Sequence, residues 1–530
     1  MNPKSENNRS GLLKTKTLCL LAVLMANIIT MPAFAQKSKS GPGNIRNEHA
    51  LRNYLDQKNT LYEKLIITLG EEYWKYYANE ASFELTKPKN DLALFFRDPE
   101  FNQLIMHWFG KLPAIKDTIL SKEIFMWHNL LVASEITMDE GVRSLQTQIE
   151  DSVTQRMSSG DRSGWEAIDA LTIRLLKLRN ELSRKIGYRN FGDAALELSF
   201  MDTVAFFRYV RIIDSMTYEP YRKLVEEYKI QNNKQEFTLR DYYRLYMKYL
   251  QAAEITRVPS DSNRYFTIQT LAGIGIDYSK LPITTYIDKP LPPPAGGQGI
   301  AVRIPDDFRI VVIPDLPFSY RMHEVGHGLQ AMFTSIKSPV LKGYEWLLGG
   351  LSPTFGEGMA DVLREFVNNP EWLVHFRKVN PDSLKKWSET GKKYFPAYIR
   401  SFMVQFLTEL EIYKNPNQDL SALENRINQT YLLVEKPVKR AAPLTDMMII
   451  SYPVYQHNYL FSEIIAWQVH DVLQKKFGDR YPFNFQTGEY LKEKLYRDGE
   501  YYFWQQRLKN ATGKPLDVSG YMKVKMGITD

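Results

Sequence analysis

The sequence predicts a mainly α-helical protein that contains one small β element. Apolar residues recur at intervals of three and four from about His49 to Lys280, a spacing typical of amphipathic helices. Two short runs, Ile300–Ile304 and Phe308–Ile313, are rich in β-branched residues and are separated by a turn. Hydrophobic residues make up 44% of the 530 residues and charged residues 24%. This balance supports a large packed core and excludes a disordered or fibrous protein.

The first 35 residues have the three parts of a secretory signal peptide. Lys14 and Lys16 end a positive segment, Leu18–Ile29 is apolar, and residues 33–35 read Ala-Phe-Ala, a typical cleavage sequence. The alternative is a membrane anchor, for which the apolar run is short. We therefore expect an exported protein, periplasmic or secreted, with no stable membrane insertion after cleavage. Cleavage removes Cys19, the sole cysteine, so the mature chain has no thiol nucleophile, disulfide or cysteine-ligated metal.

The charge argues against a nucleic-acid partner. The formal net charge is +7, and residues 1–35 contribute +3 of it. The remaining +4 is dispersed over 495 residues, which is too weak and too scattered for a nucleic-acid surface. Residues 36–48 are polar, and we expect them to form a flexible N-terminal segment.

The residue composition of the chain changes near residue 281. Residues 290–299 are rich in proline and glycine, which predicts a stiff, non-helical connector ahead of the two β runs. A helix is predicted at about 318–334, a loop at 335–355 and a second helix at about 356–368. The rest of the chain, to Asp530, is predicted to be mainly helical.

The most specific motif is His-Glu-Val-Gly-His at residues 323–327. On a helix, His323 and His327 share one face, so both imidazoles can reach one metal ion. Glu324 can take a proton from the attacking water. Gly326 has no side chain, so another element or a substrate can come close to the helix there. The alternative is a pair of structural histidines.

A third metal ligand is expected from the next helix. Catalytic zinc sites use three protein ligands and keep one position open. Glu357 follows His327 by 30 residues and can be the third ligand. Asp361, one turn later, suits a carboxylate that orients a ligand histidine through its other ring nitrogen. The alternative for Glu357 is a first-turn carboxylate that stabilises the helix N-terminus. We expect one Zn²⁺ per chain.

A segment at residues 452–463 contains candidates for stabilising an oxyanion. If this segment is helical, Tyr452 and Tyr459 are seven apart and can face one cleft. The chain has 32 tyrosines, so ordinary packing is the alternative for both.

At these motifs the sequence resembles the gluzincin metallopeptidases. It looks most like the angiotensin-converting enzyme family (peptidase family M2), with the thimet-type oligopeptidases (family M3) as the related second choice. The stretches that carry the resemblance are Leu178–Leu182 with Gly187, Tyr188 and Phe191, then Asp307–Ile310, His323–His327, Phe355–Leu363 and Tyr459–Ile465.

The resemblance implies a two-lobed helical metallopeptidase fold with a deep central cleft and zinc at its floor. Residues 49–530 would form a single catalytic unit, with a zinc-binding core at about 300–370 and a tyrosine-bearing helix at about 450–475. It also implies that Glu324 is the general base and Tyr459 the oxyanion-stabilising tyrosine, with Tyr452 as a second cleft tyrosine. The strand near Ile300–Arg303 would pair with the substrate backbone.

The sequence departs from these families close to the tyrosines. Ile449 stands where the converting enzymes have a histidine, and Met447 where the oligopeptidases have one. Asn458 stands where the converting enzymes carry a chloride-linked arginine, so chloride activation is not supported. His457 is off register, and its role is open between substrate contact and packing.

The function expected from the sequence is zinc-dependent hydrolysis of peptide bonds in short peptides. A dipeptidyl carboxypeptidase is favoured. An oligopeptide endopeptidase and a zinc-holding, peptide-binding pseudoenzyme are the alternatives. Peptides are the expected partners, and the sequence does not indicate an oligomeric state.

Overall fold

The computed structural model describes residues 45–159, 165–287, 296–314, 316–344, 347–437 and 446–528. These residues are mainly helical and contain one three-stranded sheet, so the predicted fold class is confirmed. In chain order the helices and strands are α1 (Glu48–Tyr77), α2 (Thr86–Phe96), α3 (Pro99–Phe109), α4 (Thr118–Thr137), α5 (Glu140–Ser159), α6 (Trp165–Lys185), α7 (Phe191–Leu198), α8 (Thr203–Gln231), α9 (Leu239–Ala252), α10 (Asn263–Gly273), β1 (Ile283–Ile287), β2 (Gly297–Arg303), β3 (Asp307–Val312), α11 (Phe318–Met332), α12 (Pro353–Val367), α13 (Pro370–Arg377), α14 (Pro381–Lys414), α15 (Leu420–Leu432), α16 (Met447–Ser451), α17 (His457–Phe477), α18 (Phe485–Leu491), α19 (Trp504–Thr512) and α20 (Val518–Met526).

The predicted signal peptide at residues 1–35 lies outside the described residues. Of the polar segment 36–48, only residues 45–48 are described, so its expected flexibility stays a prediction. Asn47 caps α1 by accepting a hydrogen bond from the Ala50 N–H, and Glu48 begins the helix. Among the described helices, none combines the length and the apolar character that a membrane span requires.

The helical region predicted from about His49 to Lys280 is confirmed and builds the first part of the core. Local signals start the helices: the carboxylates of Asp98 and Asp117 accept hydrogen bonds from the first-turn N–H groups of α3 and α4. Trp127 of α4 then packs edge-on against Tyr62 and Phe101, with ring centroids 4.9 and 5.1 Å away. These contacts join α1, α3 and α4 through their apolar faces.

The small β element has one strand more than predicted. The strands β2 and β3 correspond to the two predicted runs and pair antiparallel. The strand β1 was not predicted and pairs parallel to β3, which gives the order β1–β3–β2. The predicted connector is wrong at residues 297–299, because their backbone pairs with β3. Residues 288–295 of that connector lie outside the described residues.

Three helices and the sheet frame the region where the sequence motifs lie. Helix α11 packs on β2 and β3 on one side and on α12 on the other, and α12 also packs along α17. Helix α1 lies against β2, since a Cβ at Gly70 would be 3.3 Å from the Cα of Val302. Helix α12 begins at Pro353, three residues before the predicted start, which places Glu357 beyond the first turn.

Candidate metal centre and active site

Two histidines of α11 and one glutamate of α12 converge in the interior. Ligand atoms of His323, His327 and Glu357 all lie within 4.8 Å of one another. Glu357 Oε2 is 3.1 Å from His323 Nε2 and 3.8 Å from His327 Nε2. This oxygen is buried and makes no well-aligned hydrogen bond among the described residues. Two imidazoles and one carboxylate aimed at a common point are the donor set of a catalytic zinc site, so these residues fit the predicted metal.

A glycine allows the two ligand helices to come this close. A Cβ at Gly326 would lie 2.6 Å from the Cα and 2.8 Å from the carbonyl oxygen of Ala360 in α12. The backbones of α11 and α12 therefore touch between the ligand residues. Of the two options that the sequence left open for Gly326, the described contact is with another element of the protein. Glu357 is not a first-turn carboxylate, so the helix N-terminus alternative is not supported.

Asp361 lies behind the first histidine. His323 Nδ1 is 2.7 Å from Asp361 Oδ1, and the hydroxyl of Ser462 in α17 donates to Asp361 Oδ2 at 2.6 Å. Arg364 is 3.2 Å from the same Oδ2. This arrangement holds the imidazole in one orientation with Nε2 facing Glu357 and His327, as expected for a carboxylate that orients a metal ligand.

Nearby charges offset the effect of burial on the pKa values of His323 and Glu357. Burial opposes the charge on His323, but its hydrogen bond to Asp361 and the nearby carboxylate of Glu357 outweigh burial and raise the pKa of His323 to about 10. Burial likewise tends to raise the pKa of Glu357, while the close contact with the His323 imidazole and the charge of His327 bring that pKa below its ordinary value. Glu357 is therefore kept as a carboxylate, which is the form that binds a cation.

Glu324 lies beside the ligands and against strand β2. A Cβ at Gly297 would be 3.0 Å from Glu324 Oε1, and a Cβ at Gly299 would be 3.3 Å from Glu324 Oε2. The two glycines thus leave room for this carboxylate. Strand β2 pairs with β3 on one side and has no strand on its other side among the described residues. The acidic side chain therefore lies next to an edge strand of the sheet.

The tyrosine segment is not one helix, and the premise used for Tyr452 and Tyr459 is wrong. Helix α16 ends at Ser451 and α17 begins only at His457, so the helix predicted at about 450–475 starts seven residues later. Pro453 disfavours the helical conformation of the residue before it, and Val454 has a left-handed φ of 58°. Tyr452 therefore lies in the link between the two helices, and Tyr459 lies in the first turn of α17.

The structure nevertheless brings three tyrosines of this segment together. The ring centroids of Tyr452 and Tyr455 are 6.1 Å apart, and those of Tyr455 and Tyr459 are 5.5 Å apart. Burial and, after it, the nearby Glu357 raise the pKa of Tyr459 well above its ordinary value, so its hydroxyl stays protonated. The hydroxyl of Tyr452 is 3.0 Å from that of Tyr77 in α1.

Tyr455 was not singled out from the sequence. Its hydroxyl donates to Glu357 Oε1 at 2.6 Å. On a continuous helix Tyr455 would share a face with Tyr452 and Tyr459, because it lies three residues after the first and four before the second. This spacing of three and four is the signal that could have found it.

The side chain of His457 is buried among aromatic rings. His457 is 1% exposed, and its ring centroid is 5.5 Å from Phe206 and 6.3 Å from Phe461, which favours packing over substrate contact. Burial lowers the pKa of His457 to about 3.

Arg179 of α6 lies in Leu178–Leu182, one of the stretches that carry the resemblance. It donates to the carbonyl oxygens of Ile449 and Ile450 at 3.1 and 2.7 Å and so holds α16 against α6.

Solved structures with a similar fold exist, although no family model and no curated protein matches the chain. A carboxypeptidase from Pyrococcus furiosus has a TM-score of 0.65 and 14% identity, covering 92% of this chain and 100% of that one. An M32 carboxypeptidase from Deinococcus radiodurans R1 has a TM-score of 0.62 and 14% identity, covering 89% and 98%. At this identity the likeness shows a shared fold. The resemblance drawn from motifs named the M2 and M3 families and did not name M32.

Proposed function

We propose that this protein is a zinc-dependent peptidase. The observation that carries the proposal is the convergence of His323, His327 and Glu357, with Glu324 adjacent in sequence and lying against the edge strand β2. The similar folds of two carboxypeptidases support the same class of reaction.

The reaction follows from the positions of these side chains. Zinc held by His323, His327 and Glu357 would polarise the scissile carbonyl group. Glu324 accepts the proton of the attacking water and passes it to the leaving amine. Tyr459, whose pKa is raised by burial, keeps its proton and donates a hydrogen bond to the oxyanion.

We propose that the substrate backbone pairs with the edge strand β2, which lies next to Glu324. This pairing would hold an extended peptide beside the general base.

Within this reaction class, we propose cleavage at the free C-terminus of short peptides. The support is the carboxypeptidase activity named for both neighbours of similar fold. Release of a dipeptide remains the sequence-based preference, and release of a single residue is the other product that a carboxypeptidase can give.

The test uses mature protein that starts at Gln36. Its zinc content is measured, and peptides with free or amidated C-termini are incubated with it, with products mapped by mass spectrometry. We expect one zinc per chain and cleavage of the free peptides alone, because a carboxypeptidase needs the terminal carboxylate. Internal cuts in amidated peptides would instead establish an endopeptidase. Zinc binding with no cleavage of any peptide would establish a binding protein.

Glu324→Gln separates chemistry from metal binding. The amide keeps the size of the side chain but cannot accept the proton, so we expect wild-type zinc content with almost no turnover. Substantial remaining activity in this variant would refute the role of Glu324.

We also propose that residues 1–35 are removed during export. N-terminal sequencing of protein recovered outside the cytoplasm should then begin at Gln36. An intact N-terminus in that material would contradict this.

A further inference from the structure

The carboxylate of Glu357 has two oxygens in different environments. Oε2 faces the imidazoles, 3.1 Å from His323 Nε2 and 3.8 Å from His327 Nε2. Oε1 accepts a hydrogen bond from the Tyr455 hydroxyl at 2.6 Å. The phenol thus occupies one oxygen and leaves the other directed towards the histidines.

This difference matters for how a carboxylate binds a metal. A carboxylate has lone pairs on both oxygens and can bind an ion through one oxygen or through two. A strong hydrogen bond on one oxygen favours binding through the other alone and also stops rotation of the group. Partners that hold ligands in this way typically contribute 10–100-fold to metal affinity.

The chain directs Tyr455 to this position from a second buried site. Val454, which precedes it, has a left-handed φ of 58°, an uncommon conformation for a β-branched residue. The N–H of Val454 donates to Glu409 Oε1 of α14 at 2.6 Å, and Glu409 is 2% exposed. The sharp turn is therefore anchored from the core, and Tyr455 is aimed inwards by it.

The neighbouring rings restrict Tyr455 further. Tyr452 and Tyr459 lie on either side with ring planes inclined by 67° and 64° to that of Tyr455. Glu357 is itself buried between α11 and α17 and has little freedom to move away from the phenol.

We propose that Tyr455 is a positioning residue of the metal centre, which holds Oε1 of Glu357 and thereby presents Oε2 alone to the ion. This inference rests on the proposed zinc site. It gives Tyr455 a role different from that of Tyr459, which we assign to the oxyanion.

The test is Tyr455→Phe, which removes the hydroxyl and keeps the ring. Tyr452→Phe is the matched control, since its hydroxyl belongs to the same link but contacts Tyr77 and not Glu357. Zinc affinity of each mature protein is measured by competition with a chromophoric chelator. We expect Tyr455→Phe to bind zinc 10–100-fold more weakly and Tyr452→Phe to bind within about twofold of wild type.

A spectrum gives a readout that does not depend on activity. Co²⁺ in place of zinc absorbs visible light more strongly at four-coordinate than at five- or six-coordinate sites. We expect weaker absorption in Tyr455→Phe, because Glu357 can then bind through both oxygens. Thermal unfolding of the metal-free proteins checks that the Phe variant is folded.

The outcomes separate this inference from the proposed function. If the wild type binds neither zinc nor Co²⁺, the proposed function fails and the inference with it. If the wild type binds both and Tyr455→Phe matches it in affinity and spectrum, the inference alone is overturned. An equal loss in Tyr452→Phe would also overturn it, because the hydrogen bond to Glu357 would not be the cause.

Discussion

Gly326→Ala tests whether the close contact of α11 and α12 creates the metal centre. The change adds one carbon on the ligand helix, between His323 and His327. Alanine is the better helix former, so local propensity alone predicts a slightly more stable helix. The tertiary contact predicts the opposite, because the new Cβ would lie 2.6 Å from the Cα and 2.8 Å from the oxygen of Ala360.

The size of the effect follows from these distances. Carbon atoms in contact are normally about 3.5–4.0 Å apart, so the two helices must separate locally by about 1 Å. Metal–ligand distances tolerate only about 0.2 Å, and Glu357 lies one turn before Ala360. We expect at least a tenfold loss of zinc affinity, which corresponds to about 1.4 kcal/mol. Overpacking should also lower the free energy of unfolding by about 1–3 kcal/mol.

Two glycines provide controls for the assay, which combines chelator competition for zinc with urea unfolding of the metal-free protein. Gly328→Ala makes the same change on the same helix, but its Cβ would meet side-chain atoms of Ile283 and Phe308 at 2.9 and 3.0 Å, which can shift. We expect a smaller loss there. Gly391 in α14 has no atom within 4 Å of an added Cβ, so Gly391→Ala should stabilise by about 0.5–1 kcal/mol.

Wild-type zinc affinity and unchanged stability in Gly326→Ala would refute this reasoning. A loss of the same size in Gly328→Ala would also contradict it, since the side chains near Gly328 can shift, whereas the backbone of Ala360 near Gly326 is rigid.

The other predictions concern single side chains of the site and its anchor. Asp361→Asn should weaken zinc binding about 10–100-fold in chelator competition, because His323 loses its orienting carboxylate; unchanged affinity would contradict this. Tyr459→Phe should lower kcat about 10²–10³-fold at unchanged zinc content in steady-state assays, and a change in KM alone would contradict an oxyanion role. Burial raises the pKa of Glu409 from 4.5 to about 8, so the folded state binds its proton more tightly than the unfolded state. Its contribution to stability is present below pH 4.5 and is lost as the pH rises to 8. In urea unfolding, the free energy of unfolding of Glu409→Gln should therefore rise relative to that of wild type between pH 4.5 and 8, by up to about 5 kcal/mol. A difference between the two proteins that does not depend on pH would refute this.

The local part of the site could be predicted from the sequence. A spacing of four places His323 and His327 on one face of any helix, and Glu324 is adjacent whatever the rest of the fold does. The bounds of α11 and the pairing of β2 with β3 were also close to the prediction, because they depend mainly on residues that are near one another in the chain.

Other features depended on contacts that the sequence does not display. The strand β1 consists only of β-branched and aromatic residues, which favour a strand, but its parallel pairing with β3 is not displayed by the sequence. The contact of Tyr455 with Glu357 depends on the link between α16 and α17, in which Val454 has a left-handed φ and donates its N–H to the distant Glu409.

The sequence by itself therefore determined the helical class, the histidine pair and its neighbouring glutamate, because backbone geometry makes short spacings predictive. Only the tertiary structure decided that Glu357 meets the two histidines, that Asp361 lies against His323 Nδ1 and that Tyr455 donates to Glu357. These relations join residues of separate helices, and their distances are set by how closely two backbones pack, as at Gly326 and Ala360.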